Sequence, residues 1–256
     1  MAETTVAQLP VAATGALDEI LARLAPDAYY QSPGGRRFLI AAALLAAMPR
    51  GAKPLDVACG IGPASVDIAD AFGCRVSAFD NFAPYLAFGR RLAASRGVGK
   101  QISFKELDGD QPLAAFEASS FDAVLGLGGG LTDSLPGGLT GGFAAAARWL
   151  KPGGVLICGD LVSPVPPSEM MRLVFGPSLW SESAFLEALA AAGFEVVYAA
   201  RASRADWDVM KETINALKAR SLDLGPTDER DRLKLTLAAQ DHPEIAYLNV
   251  LARRRS

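Results

Sequence analysis

The chain has 256 residues, half of them apolar and 21% charged, with a formal net charge of −3. These values fit one soluble globular domain with additions, and the charge is too slight for a nucleic-acid or acidic-membrane partner. The three cysteines, Cys59, Cys74 and Cys158, form no C-x-x-C pair, and a single histidine, His242, argues against a His-based metal site, so a reduced, cytoplasmic protein without a metal is expected.

Residues 1–14 are rich in Ala and Thr, carry neither the basic region nor the apolar run of a signal peptide, and read as a frayed start. Leu17, Ile20, Leu21 and Leu24 mark an amphipathic helix stopped by Pro26. Tyr29 to Gly35 is a loop, and a helix is predicted from about Arg36 to Met48; the apolar run from Phe38 to Met48 is too short to span a bilayer. These elements, residues 15–49, precede the first strand and are placed to fold over it as a lid.

From there strand and helix alternate, as a parallel sheet demands. Strands are predicted near 54–59, 75–80, 102–107, 121–127, 154–160 and 194–201, with a last strand from Ile245 to Ala252. Helices fall near 63–72, 83–96, 138–150 and 181–192. Between the sixth and last strands stand about 40 residues where a plain sheet needs only a hairpin. Trp207, Met210, Ile214 and Leu217 recur there at helical spacing over 205–221, and a second helix is placed near 227–240. The stripe packs onto the core, lines a ligand site, or does both.

The stretch that organises the chain is Pro54-Leu55-Asp56-Val57-Ala58-Cys59-Gly60-Ile61-Gly62-Pro63, a buried strand, a glycine turn and the start of a helix. Gly60 and Gly62 can take positive φ and admit a ligand to the backbone, and Pro63 suits a first helical turn. Such a unit presents free N–H groups at a helix N-terminus. The turn is close to the dinucleotide pattern G-x-G-x-x-G/A, with Asp80 where a ribose-binding acid belongs, so a nicotinamide-dependent oxidoreductase is one reading. Asp56 inside the strand favours another, because an amino-acid-bearing nucleoside needs an acceptor for its ammonium.

The stretch resembles motif I of the class I S-adenosylmethionine-dependent methyltransferases, (D/E)-x-G-x-G-x-G, with Ala58 in place of the first glycine. Phe121 to Gly128 is similar to the family's fourth-strand motif, Leu150-Lys151-Pro152-Gly153-Gly154 to its turn into the fifth strand, and Ala191 to Val197 to its turn into the sixth. The resemblance covers about residues 50–202 and implies a Rossmann-like α/β fold. That fold has a seven-stranded, mostly parallel sheet with helices on both faces. Added to it are the lid helices, a helical cap over 203–243 and the last strand over 244–256, all in a single domain.

The resemblance further implies cofactor contacts from Asp56, Ala58, Cys59, Gly60, Gly62, Asp80, Asn81, Asp108, Gly109, Leu125 and Tyr30. Asp80 would hold the ribose hydroxyls, and Asp108, or Asp110, the adenine amino group. It implies transfer of a methyl group to an N, O, C or S atom by in-line attack, with S-adenosylhomocysteine as product. Tyr29, Trp180, Trp207 and Met210 suggest an enclosed pocket for a small-molecule acceptor. No residue announces a general base; His242, Asp133 and Asp160 are the candidates at the same sheet edge. A non-catalytic S-adenosylmethionine-binding protein stays open, as do the acceptor and a homodimer.

Overall fold

Strand residues such as Leu55, Val57, Ala123 and Val124 are sealed from solvent on both sides of the sheet. Their unbroken apolar runs are therefore those of parallel strands covered by helices. The computed structural model describes residues 11–24, 29–176, 179–219 and 242–256. The sheet comprises β1 (Pro54–Val57), β2 (Val76–Asp80), β3 (Ile102–Glu106), β4 (Phe121–Leu127), β5 (Leu150–Ser163), β6 (Trp180–Ser181), β7 (Phe194–Arg201) and β8 (Ala246–Arg254). Its order is β3-β2-β1-β4-β5-β8-β7, with β6 paired to β5. β8 runs antiparallel to both β5 and β7, and the remaining pairs are parallel.

One face of the sheet is covered by α2 (Gly35–Leu45), α3 (Pro63–Phe72) and α4 (Ala83–Ser95), and the other by α6 (Gly138–Trp149) and α8 (Glu182–Ala191). α1 (Val11–Arg23) packs through Leu17, Ile20 and Leu24 onto Ile40 and Ala41 of α2. α9 (Arg204–Ala219) buries Trp207 and Met210 against Met171, Phe175 and Tyr247.

The expected sheet is present, with β6 as an additional two-residue strand. Short helices α5 (Gln111–Ala115) and α7 (Glu169–Phe175) are additions too; both are too brief to show a helical period. α7 is announced only by its cap, Ser168, whose hydroxyl accepts the Met171 N–H. The second lid helix stops at Leu45, short of Met48, because the chain turns over with Ala47 at φ +52°. α1 starts at Val11, inside the stretch read as frayed, and the helix placed near 227–240 lies outside the described residues.

Candidate functional site

The strand order reverses between β1 and β4: the chain winds outward to β2 and β3, then returns to β4 and β5 on the other side of β1. An open α/β sheet splays its connections apart at that switch point, leaving a crevice at the carboxyl ends of the strands. A cleft of about 220 Å³ lies there, walled by Asp56, Ala58, Cys59 and Gly60 after β1, Leu127 and Gly128 after β4, and Tyr85 of α4. The Tyr29–Ser32 loop before α2 completes its lining.

Asp56 is 3% exposed, and its Oδ2 accepts the Ser65 hydroxyl at 2.6 Å, across the glycine turn. Burial pushes its carboxyl up to about 7; the Ser65 bonds oppose that rise and the Asp80 charge adds to it. The turn itself is left-handed at Ala58 (φ +48°), Gly60 (φ +55°) and Gly62 (φ +79°). Ala58 thus takes a conformation that L-residues adopt only at a cost. Gly62 caps α3, and a Cβ there would stand 2.9 Å from the Phe104 ring. Gly130 is needed for a similar reason, since its Cβ would meet the Val57 carbonyl oxygen at 2.6 Å.

Asp80 supports this turn from the end of β2. Its Oδ2 accepts the Gly60 N–H at 2.8 Å and its Oδ1 the Phe82 N–H at 3.0 Å. Beside it, Asn81 donates to Asp108 Oδ1 at 3.3 Å, and the Gly109 N–H donates to the same oxygen at 2.8 Å. Asp80, Asn81, Asp108 and Gly109 therefore gather at the ends of β2 and β3, next to the cleft. Asp110 is exposed at the start of α5. Leu125 departs from expectation: it is fully buried in the core, and Leu127, two residues on, meets the cleft.

The Tyr29–Ser32 loop is tied down by Tyr30, whose hydroxyl donates to Asp67 Oδ2 at 3.0 Å; Arg36 Nε donates to the same oxygen at 2.7 Å. Tyr29 packs edge-on against Phe88 at 5.4 Å and, with Tyr30, lines the cleft. Among the substrate candidates, Tyr29 is thus at the site. Trp207 and Met210 are core residues, with the Trp207 ring edge-on to Tyr247 at 6.4 Å. Trp180 lies farther along, in β6, walling a different groove beside Leu179 and Leu186.

The candidate bases do not wall the cleft. Asp160, at 8% exposure, sits beneath the loop after β4, accepting from Thr132 Oγ1 and from the Leu161 N–H at 2.7 Å. Burial pushes it up to about 7 against the Thr132 bond, with the Asp133 charge raising it further. Asp133 is exposed on that loop. His242 precedes β8, its Nδ1 accepting the Glu244 N–H at 3.3 Å. Among the described residues no cluster of three or more His, Cys, Asp or Glu could hold a metal ion, and no helix is long and apolar enough to cross a membrane.

Several contributors escaped the sequence. Ser65, Asp67, Arg36 and Tyr85 lie on helices whose polar faces gave no phase, and Ser32 and Gly128 on loops. Tyr247 belongs here too: its hydroxyl accepts the Gly128 N–H at 2.7 Å. Ser65 alone had a readable signal, as the hydroxyl in the first turn of a helix that follows a buried strand acid.

A parallel sheet with this switch point, a left-handed turn after an acid-bearing β1 and an acid closing β2 defines a Rossmann-like methyltransferase fold. Residues 55–154 match the family model described as a methyltransferase domain. The likeness to that family is confined to this segment, less than half of the chain. The chain is 29% identical over 154 residues to a sterol 24-C-methyltransferase of Eremothecium gossypii, covering 56% of this chain and 40% of that protein. A second sterol 24-C-methyltransferase, from Gibberella zeae, is 33% identical over 105 residues, or 41% of this chain and 26% of the relative. The chain thus matches less than half the length of these relatives.

Among solved structures, an S-adenosylmethionine-dependent methyltransferase from Geobacter sulfurreducens, in complex with S-adenosyl-L-homocysteine, superposes with a TM-score of 0.69 at 21% identity. That match covers 92% of this chain and 96% of the other. A 4+2 cyclase, SpnF, superposes equally well (TM-score 0.69, 21% identity, 94% and 93% covered). At such identities the likeness is one of fold.

Proposed function

We propose that this chain transfers a methyl group from S-adenosylmethionine to a small-molecule acceptor. The observation that carries the reading is the bonded unit at the switch point: Asp56, the Gly60–Gly62 turn and Asp80, linked by the Gly60 N–H and closed over by Tyr29 and Tyr30. Its donor set fits the cofactor. Each Asp80 oxygen keeps a lone pair beyond the backbone N–H it accepts, enough for a pair of ribose hydroxyls. Nothing within 4 Å opposes an atom approaching the Gly60 Cα, and Asp56 supplies the carboxylate an ammonium would seek. Asn81, Asp108 and Gly109, gathered at the ends of β2 and β3, are the adenine contacts of this reading.

When bound, S-adenosylmethionine supplies an already activated methyl group on a sulfonium. The chain's task is alignment and exclusion of water, for which effective molarity is worth roughly 7–11 kcal/mol. Tyr29, Tyr30, Tyr85 and Leu127 give the cleft aromatic and apolar walls, and among the described lining residues there is no Lys, Arg or His. A neutral or cationic acceptor suits such walls better than a phosphorylated one. With Asp133, Asp160 and His242 all outside the cleft walls, a nucleophile that needs no base, such as a neutral amine, fits better than a phenol. Asp160 can hold a proton at the sheet edge.

We take the chain as a single domain, with 15–49 as lid, 50–202 as core and 203–243 as cap, acting on a free small molecule in the cytoplasm rather than on nucleic acid. A second reading, a binding protein without methyl transfer, is favoured by Asp133, Asp160 and His242 all lying outside the described cleft walls and by the same fold in a cyclase. Calorimetric titration with S-adenosylhomocysteine, with NAD as control, tests the cofactor. Micromolar binding of the first alone supports it; NAD binding without S-adenosylhomocysteine binding would restore the oxidoreductase reading. Methyl transfer to small amines, absent from a pure binder, separates the remaining two.

A further inference from the structure

Ser65, in the first turn of α3, is fully sealed from solvent and does not line the cofactor cleft. Serine forms helix less readily than alanine, and a buried hydroxyl is costly unless it is bonded. Its partner lies across the glycine turn, nine residues back: the hydroxyl donates to Asp56 Oδ2 at 2.6 Å.

Asp56 does line the cleft. With Oδ2 taken by Ser65, no hydrogen bond among the described residues reaches its Oδ1, and that atom is not one of the sealed, unpartnered atoms of the fold. One oxygen of the carboxyl is thus anchored in the protein and the other is left to the cleft.

The same bond bears on the charge. Burial pushes the Asp56 carboxyl up to about 7, and the chief influence against that rise is the Ser65 hydroxyl, followed by the Ser65 N–H at the positive end of the helix. Among the groups that face Asp56, Asp80 at the end of β2 raises it further. Burial pushes up both the Cys59 thiol of its own turn and the Tyr30 hydroxyl of the loop before α2, so neither carries charge. With no Lys, Arg or His among the described lining residues, Ser65 is the group that favours the ionised form.

We propose that Ser65 is a positioning residue for the cofactor: by holding Asp56 Oδ2, it presents Oδ1 to the ammonium of S-adenosylmethionine. This role rests on the cofactor reading above and adds to it the residue that makes the strand acid a usable acceptor. Ser65 itself touches no ligand. Without its hydroxyl the Asp56 carboxyl rises further, and a neutral Asp56 is a weaker partner for an ammonium.

The test is calorimetric titration of the full chain and of Ser65→Ala with two ligands, S-adenosylhomocysteine and 5′-methylthioadenosine, which lacks the amino-acid end. In the unaltered chain, S-adenosylhomocysteine should bind about tenfold more tightly near pH 8 than near pH 6, as follows for an acceptor that titrates midway, while 5′-methylthioadenosine should not tighten. Ser65→Ala should lower S-adenosylhomocysteine affinity about tenfold near pH 7, the scale of one charge-assisted hydrogen bond, and by less near pH 8. Its affinity for 5′-methylthioadenosine should be unchanged. Circular dichroism confirms that the variant is folded; if it is not, Ser65→Cys, of similar size with a weaker donor, replaces it with the same direction expected.

A folded variant that binds S-adenosylhomocysteine as the unaltered chain does, or that loses both ligands equally at every pH, would overturn the proposal and leave the cofactor reading standing. So would an unaltered chain whose two ligands show the same pH profile. Failure of the unaltered chain to bind either ligand would remove the cofactor reading, and the role of Ser65 with it.

Discussion

The hydroxyl of Tyr30 donates to Asp67 Oδ2 at 3.0 Å, joining the loop before α2 to helix α3 across 37 positions of sequence. Arg36, whose side chain is 12% exposed, meets the same carboxylate at 2.7 Å. Tyr30→Phe should cost about 1.5–3 kcal/mol, the range for a hydrogen bond to a charged group. Asp67→Ala removes the ion-pair partner of a mostly buried guanidinium and should cost about 3–5 kcal/mol. Urea denaturation reads both values. Because Tyr30 lines the cleft, Tyr30→Phe should also weaken S-adenosylhomocysteine; unchanged affinity in the folded variant would make the latch purely structural.

Asp80 holds two backbone N–H groups, those of Gly60 and Phe82, and on the proposed function also holds a ligand's hydroxyls. Asp80→Ala should lower S-adenosylhomocysteine affinity by about 1.5–3 kcal/mol and reduce thermal stability as well, since the Gly60 turn loses its prop. Asp80→Asn turns an amide N–H toward one of two backbone donors, so it should recover little of either. Titration beside thermal melts separates the effects. A folded Asp80→Ala variant with full affinity would leave Asp80 as a support of the turn and nothing more.

Asp56 and Asp160 share an electrostatic signature: burial raises both carboxyls to about 7. An unfolded aspartate titrates near 3.9, so between roughly pH 4 and pH 7 the native state holds more protons than the unfolded one. Stability conferred by those protons is complete below the unfolded value and is lost as pH rises through the folded value. Melting temperature of the ligand-free protein should therefore fall from pH 5 toward pH 8, and Asp160→Asn, which keeps an acceptor for Thr132, should flatten part of that slope. A melting temperature that climbs over the same window would show the carboxylates to be ionised and well paired.

The sheet was legible because parallel strands buried on both faces leave unbroken apolar runs, and because glycines mark the turns between them. The same double burial hides the phase of each strand. That is why Leu125 was expected at the cleft although Leu127 stands there, one full alternation later. The turn from Asp56 to Gly62 was readable because it is local, and Asp80 because it closes the next strand, 20 positions from Gly60. The Tyr30–Asp67 latch and the Tyr247–Gly128 contact were not, since each joins segments far apart and depends on how helices and strands dock. Trp207 and Met210 were legible as one helix face, but nothing in their spacing says whether that face meets the core or a ligand.

In the structure that face meets the core. Trp207 is 7% exposed and edge-on to Tyr247 at 6.4 Å, and Tyr247 in turn accepts the Gly128 N–H at the cleft wall. Trp207→Ala should cost about 3–5 kcal/mol, the range for emptying a buried aromatic position. It should weaken S-adenosylhomocysteine only as a secondary effect, through a loosened Tyr247. Trp207→Phe keeps a ring on Tyr247 and should retain both affinity and most of the stability. Thermal unfolding and calorimetry of the two variants decide the matter: a folded Trp207→Ala protein with an unchanged melting temperature but impaired acceptor binding would move this residue from the core to the ligand.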